Sequence, residues 1–447
     1  MSHRIRRRDA FKSIVATAAL ALGLVGCGGG GGAGLDSSTA GSAATGTTGA
    51  GTGTSNTDPV AQSRFFASWT AALLDARATL PGGTAAAAPT FNNQSIRQVL
   101  RLSLGGDTVR LKLSNRFGSA PATFSGVHLA RSAARMSDID PGSDRAVTFG
   151  GQASVTLPAG AELLSDPVAL PVAPLATVAV TMYFATATAM PTMHVVGRQT
   201  AFIAPGNQVS AAAMAAAPAD LRESYYGLAA VETSSTEATR VVVAFGDSLT
   251  DGIGSSLDAA KRYPNQLDDR LKAAGLARVG VVNTGIAGNR WLNDFAGPNG
   301  NGRFERDVLE VAGVTHTIIQ LGINDIGFSV QEAPAQEVSA QQIVDAIAAA
   351  VTKAKARGVK VFLATLAPYK GSGSFSDSGE VKRQAVNAAI RNAQGIDGVI
   401  DFDRVLQNPA NPAGLNPAYD SGDHLHPNDA GYAALAAAVD LAKLSAP

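Results

Sequence analysis

Val241-Val242-Val243-Ala244-Phe245 runs without a break into Gly246-Asp247-Ser248-Leu249. Five apolar residues with no polar alternation suit a strand covered on both faces. The Gly-Asp-Ser that follows suits a strand-to-helix turn, in which Asp or Ser caps the helix. From here the chain keeps a steady rhythm. Apolar runs recur at Val279 to Val282, Thr317 to Leu321, Val359 to Leu366 and Val399 to Phe402. Helical periodicity appears near Tyr263 to Ala274, Ala340 to Ala356, Val381 to Ala393 and Asn428 to Leu444. Strand-helix alternation predicts a parallel sheet flanked by helices. Ligands bind such sheets beyond the carboxyl ends of the strands, which is where Ser248 falls.

Upstream the rhythm is different. From about Pro59 to Glu232 the pattern is strand-like. Ile96 to Leu104 alternates over much of its length and Thr108 to Ser114 alternates cleanly. Gly105-Gly106-Asp107 between them predicts a hairpin. Further strands are predicted at Val127 to Ala130, Val155 to Leu157 and Ala176 to Phe184, and one helix over Phe65 to Ala76. Short strands with Gly and Pro punctuation predict a β-sandwich or jelly-roll-like domain. The polar stretch Glu232 to Thr239 marks a boundary, so the folded regions are expected at 59–235 and 236–447.

The start of the chain reads as an address. Arg4, Arg6, Arg7 and Arg8 precede the apolar run Ile14 to Val25, which is too short for a comfortable membrane span and suits a signal-peptide core. The run ends in Leu24-Val25-Gly26-Cys27, which resembles the lipobox of bacterial lipoproteins. That resemblance implies cleavage before Cys27, lipidation of Cys27 and a membrane-anchored chain in the bacterial envelope. An ordinary secretory signal is the alternative, and the export route, general or twin-arginine, stays open. Residues 28–58 are nearly all Gly, Ala, Ser and Thr, a composition that cannot bury enough apolar surface to offset its ordering entropy. They are expected to form a flexible linker after a signal segment at 1–27.

Bulk composition removes several function classes. Lys+Arg and Asp+Glu are both 36, so the formal net charge is zero and a nucleic-acid partner is not expected. The single cysteine can make neither an internal disulfide nor a thiolate metal site. Of six histidines only His424 and His426 lie close together in sequence, so no metal and no other cofactor is expected.

Four short motifs carry candidate chemistry. Ser248 stands at a strand end but lacks the second glycine of a G-x-S-x-G elbow, since Thr250 occupies that place. Asn283-Thr284-Gly285-Ile286-Ala287-Gly288-Asn289 follows the next strand, and a backbone N–H at Gly288 could approach a developing oxyanion unobstructed. Gly322-Ile323-Asn324-Asp325 offers the Asn324 amide as a neutral donor. Asp423-His424-Leu425-His426 has a D-x-x-H spacing that can bring the carboxylate to the His426 imidazole. Taken singly, each is also an ordinary turn or cap.

Together, in this order, the motifs resemble the SGNH (GDSL-type) hydrolase family over essentially all of Val241 to Leu444. The family's marker residues map onto Ser248, Gly288, Asn324 and His426, and its aspartate onto Asp423. The resemblance implies a three-layer α/β/α flavodoxin-like domain. It also implies a serine esterase that forms an acyl-enzyme on Ser248, with Asp423 and His426 completing a triad. The Ser248 and Gly288 amides and the Asn324 side chain would form the oxyanion hole. The β-rich region is similar to the leading domain of some secreted members. Substrates in view are small-molecule, lipid or glycan esters. A polysaccharide O-acetylesterase is one alternative, and a non-catalytic ligand-binding surface lipoprotein is the other. His424 rivals His426 as the base. Asp247 and Asp325 suit loop stabilisers, and Trp291, Phe295 and Phe328 could line an acyl pocket, with core packing expected of at least one.

Overall fold

Aromatic and β-branched residues build strands from Arg64 onward, and we follow them in a computed structural model that describes residues 64–78, 86–133, 136–214, 216–217 and 220–445. The signal segment, Cys27 and the linker therefore lie outside the described residues. Among the described residues, nine of the first region's strands build its two main sheets: β1 (Arg64–Thr70), β2 (Gln94–Arg101), β3 (Gly106–Ser114), β4 (Gly126–Arg131), β5 (Glu162–Leu164), β6 (Val168–Val172), β7 (Thr177–Phe184), β8 (Ala201–Pro205) and β9 (Leu228–Ser235). One antiparallel sheet runs β1-β9-β3, with β5 and β6 both pairing to β3. A second runs β8-β2-β7-β4. Val109, Leu111 and Leu113 of β3 share one core with Ile96 and Leu100 of β2 and with Val178, Val180 and Met182 of β7. The region is thus strand-rich and antiparallel, and the two sheets close on a common apolar layer.

Two local expectations fail here. Phe65 to Ala76 is not a helix but β1 followed by the short strand Leu74–Asp75. A bulge near Ala67 and Trp69 lets Phe66 and Trp69 enter different cores. A strand buried on both faces shows an apolar run that periodicity alone cannot tell from a helix. Nor do β2 and β3 form a hairpin, because they belong to different sheets. A Cβ at Gly105 would lie 2.7 Å from the Val172 carbonyl oxygen, and one at Gly106 would lie 2.5 Å from that of Ser234. These glycines admit close backbone approach where the chain crosses between sheets, rather than a tight turn.

After β9 ends at Ser235 the chain enters β10 (Arg240–Gly246), β11 (Val279–Gly285), β12 (Val314–Gln320), β13 (Lys360–Ala364) and β14 (Gly398–Ile400). Their order is β11-β10-β12-β13-β14, parallel throughout. This is the flavodoxin-like sheet. The helices are α1 (Ser248–Asp251), α2 (Tyr263–Ala273), α3 (Gly300–Phe304), α4 (Ile323–Glu332), α5 (Ala340–Ala356), α6 (Asp377–Arg391), α7 (Phe402–Leu406) and α8 (Asp429–Ala437). Along β10, Val241, Val243 and Phe245 face a core built with Ile326 of α4, Ile343 and Ile347 of α5, and Val386 of α6. Val242 and Ala244 face the opposite core, with Leu267 of α2 and Leu435 of α8. Alternating residues of one strand thus serve two helical layers. The helix expected over Asn428 to Leu444 is divided: α8 stops at Ala437, and a separate short helix, α9 (Leu441–Ser445), follows, with Asp440 accepting from the Ala442 N–H.

The two regions share apolar packing. Phe66 and Ala67 of β1, with Leu104, complete the core on the α4–α6 side of the parallel sheet. Ser103 Oγ donates to Asp268 and accepts from the Val281 N–H, tying the β2–β3 crossing to α2 and β11.

Candidate active site

The carboxyl ends of β10, β11 and β12 deliver three of the four motifs. Gly246 ends β10, and Asp247 caps α1 by accepting from the Leu249 N–H. Ser248 therefore begins a helix just beyond the carboxyl end of β10, an interior strand, and only 5% of its surface is exposed. Thr250 stands where an α/β-hydrolase elbow has its second glycine, and the parallel order found here is the flavodoxin-like one.

Residues 178 positions apart meet at Ser248. Its Oγ lies 2.8 Å from His426 Nε2, and His426 Nδ1 lies 2.6 Å from Asp423 Oδ2. A carboxylate accepts at Nδ1, so that nitrogen carries the proton and Nε2 is left to accept from the serine hydroxyl. The other Asp423 oxygen accepts from the backbone N–H groups of Leu425 and His426. Burial pushes the Asp423 carboxyl up, but its bond to His426 and these amides hold it well below the usual carboxylate range. The rival, His424, points elsewhere. Its Nδ1 lies 2.5 Å from Asp420 Oδ2, and its backbone adopts a positive φ of 61°.

Gly288 has a φ of 79°, the left-handed region that a side chain would strain. Asn324 sits in the first turn of α4, two residues after Gly322, whose φ of 137° only glycine adopts readily. The Asn324 Nδ2 donates to the Asn289 carbonyl at 3.1 Å, which leaves its second N–H for another acceptor. That bond brings the second and third motifs together. Asp325 reinforces it by accepting from the Trp291 and Leu292 N–H groups. Burial pushes the Asp325 carboxyl up to about 6. Asp247 is likewise buried, and its carboxyl is pushed up to about 7.

The aromatic candidates divide. Trp291 is fully buried and its Nε1 donates to the Leu321 carbonyl, so it is core. Phe295 and Phe328 stack at 5.2 Å.

Two residues of this neighbourhood carry no local sequence signal. Arg303 of α3 is wholly buried under the strand ends and donates to the carbonyls of Gly246 and Thr284 and to Asn289 Oδ1. Its planar fork joins the ends of β10 and β11 to the second motif. His194, from the β-rich region, meets Asp251 of α1. Among the described residues no group of three or more His, Cys, Asp and Glu side chains could hold a metal ion.

Residues 244–434 match the GDSL-like Lipase/Acylhydrolase family. The second region is a GDSL-type hydrolase domain. No match was found among curated proteins. Among solved structures, the chain is similar to a GDSL-like lipase from Bacteroides thetaiotaomicron, with 22% identity over 45% of this chain and 87% of the other and a TM-score of 0.36. It is similar to an acetylxylan esterase from Geobacillus stearothermophilus, solved as a catalytic mutant, with 22% identity, coverage of 46% and 94%, and a TM-score of 0.36. An M. smegmatis aryl esterase shares 19% identity, with coverage of 45% and 96% and a TM-score of 0.35. In the GDSL-type domain, the family match begins within β10 and ends within α8, so all four motifs lie inside it.

Proposed function

We propose that the protein is a serine esterase that hydrolyses carboxylic esters through an acyl-enzyme on Ser248. The observation that carries this reading is the unbroken chain of contacts from Ser248 Oγ through His426 to Asp423. In the proposed cycle Ser248 Oγ attacks the ester carbonyl carbon while its proton passes to His426 Nε2. The carbonyl oxygen becomes an oxyanion, held by the Ser248 and Gly288 N–H groups and the Asn324 amide. As it collapses, the bond to the alkoxy group breaks and His426 returns the proton to the departing alcohol. Water then repeats the sequence on the acyl-serine, releasing the acid and restoring Ser248. Asp423 keeps the proton of His426 on Nδ1 and stabilises the imidazolium.

Removing the serine tests this directly. Ser248→Ala should lose ester hydrolysis by at least about three decades, with an unchanged circular dichroism spectrum. Parental turnover in that variant would dispose of the assignment. A panel of short-chain aryl, long-chain lipid and acetylated-glycan esters, run beside it, identifies the substrate.

A further inference from the structure

His194 lies at the end of the short strand Thr192–His194 in the β-rich region, and it is buried. Every hydrogen-bonding neighbour of its ring is an oxygen that accepts. Nδ1 lies 2.9 Å from the Ala72 carbonyl. Nε2 lies 2.9 Å from Asp251 Oδ1 and 3.1 Å from the Val196 carbonyl. A carbonyl cannot donate, so both ring nitrogens carry protons and the ring is an imidazolium. Tyr225 stacks on it with centroids 6.2 Å apart. Burial opposes the charge and Arg262 opposes it further, yet Asp251 and the Ala72 carbonyl hold the imidazole above its ordinary range.

The partner of this cation is three residues past the nucleophile. Asp251 ends α1, and its second oxygen accepts from the Ala287 N–H at 3.0 Å. Ala287 precedes Gly288. One buried carboxylate thus joins the β-rich region, the nucleophile's helix and the loop carrying the Gly288 amide. The loop rests on the same region through apolar contact, since Ile286 packs with Ala72 and Leu74. Thr70 of β1 donates to the carbonyl of Asn283, whose side chain donates to the Thr250 carbonyl.

We infer that His194 is a positioning residue supplied by the β-rich region, which acts through Asp251 and Ala287 to aim the Gly288 N–H at the oxyanion. The inference rests on the Ser248 esterase reading and extends the catalytic apparatus beyond the GDSL-type domain. The Asp251 carboxylate would accept a bond from Ala287 in either arrangement. Only with His194 in place are both its oxygens engaged, Oδ1 by His194 and Oδ2 by Ala287, so that the turn before Gly288 has one orientation.

The test uses the full chain with a soluble aryl ester. His194→Ala should lower kcat on the order of 10- to 100-fold, the scale of a misplaced catalytic group, while KM stays near the parental value. A phenylboronate, whose serine adduct places an oxygen against the same donors, should bind more weakly by a similar factor. His194→Gln keeps one donor for Asp251 and should recover part of the loss. Combining His194→Ala with Asp251→Asn should cost no more than the worse single change, because both cut one chain of contacts. A folded His194→Ala chain with parental kcat, or a loss confined to KM, overturns the proposal. If that chain does not fold, Asp251→Asn decides, since it can accept at only one of its two side-chain atoms, and parental kcat there overturns the proposal equally. Ser248→Ala on the same ester separates the two claims. Activity surviving in that variant removes the triad itself, whereas its loss beside parental kcat in His194→Ala removes the His194 role alone.

Discussion

Asp247 stands between β10 and Ser248, and one of its oxygens accepts from the Leu249 N–H. The other, Oδ2, is buried with no partner among the described residues. Burial is the main cause that lifts this carboxyl from 3.8 to about 7. The consequence for stability has a definite sign. A carboxyl with a raised folded pKa contributes fully below its unfolded pKa, and that contribution is lost as pH rises toward 7. Asp247→Asn keeps the cap and removes the titration. The variant's advantage in Tm over the parent should therefore be larger at pH 8 than at pH 5, by the equivalent of a few kcal/mol at most. Thermal melts at the two pH values check this, and an equal difference at both contradicts it. At this scale the sequence was most informative where chemistry depends on near neighbours. Asp423 and His426 pair within three residues, so their spacing was legible. His194 was not, because its partner Asp251 lies 57 positions away and nothing in Thr192-Met193-His194 distinguishes a buried cation from an ordinary strand residue.

α3 is only one turn long, yet it brings Arg303 to the ends of two strands. The guanidinium lies over the Phe245 ring at 4.1 Å and pairs with Asp307. Burial pushes it down to about 10, still charged at neutral pH. Arg303→Met would strip donors from the carbonyls of Gly246 and Thr284 and leave Asp307 to Arg306 alone. A loss of about 3 kcal/mol in urea unfolding is expected, and a loss below 1 kcal/mol would show that the strand ends hold without the clamp. Elements of the parallel sheet were legible because each strand is followed by its own helix, and periodicity changes at every junction. The β-rich elements were legible as strands but not as partners. β2 and β3 are neighbours in sequence and lie in opposite sheets, a choice made by the close approach of Gly105 and Gly106 to Val172 and Ser234. No local pattern around Gly105 records that distant contact.

The whole molecule is less divisible than the change of rhythm near Ser235 suggests. Phe66 fills the space above Gly313, where a Cβ would come within 2.3 Å of its ring, and it belongs to the core of the GDSL-type domain. Expressed alone, residues 236–447 would expose the surface that Phe66, Ala67 and Leu104 cover. That fragment should bind a hydrophobic dye and melt well below the full chain, as dye fluorescence and calorimetry would measure. A fragment as stable as the parent would show that the sandwich merely accompanies the enzyme. Two regions were foreseeable from composition and rhythm, but their shared core was not, since an apolar residue in a strand does not declare which neighbour it will meet. The strand order adds a matter of timing. β1 is the first described strand to leave the ribosome, and its register partner is β9, ending at Ser235. Until β9 is made, Phe66 and Trp69 have no sheet to join, and they remain sticky surface on a growing chain. The sandwich therefore closes only when Ser235 has been made, a little past the middle of the chain and just as β10 begins to emerge, so misfolding is most dangerous in the interval between β1 and β9.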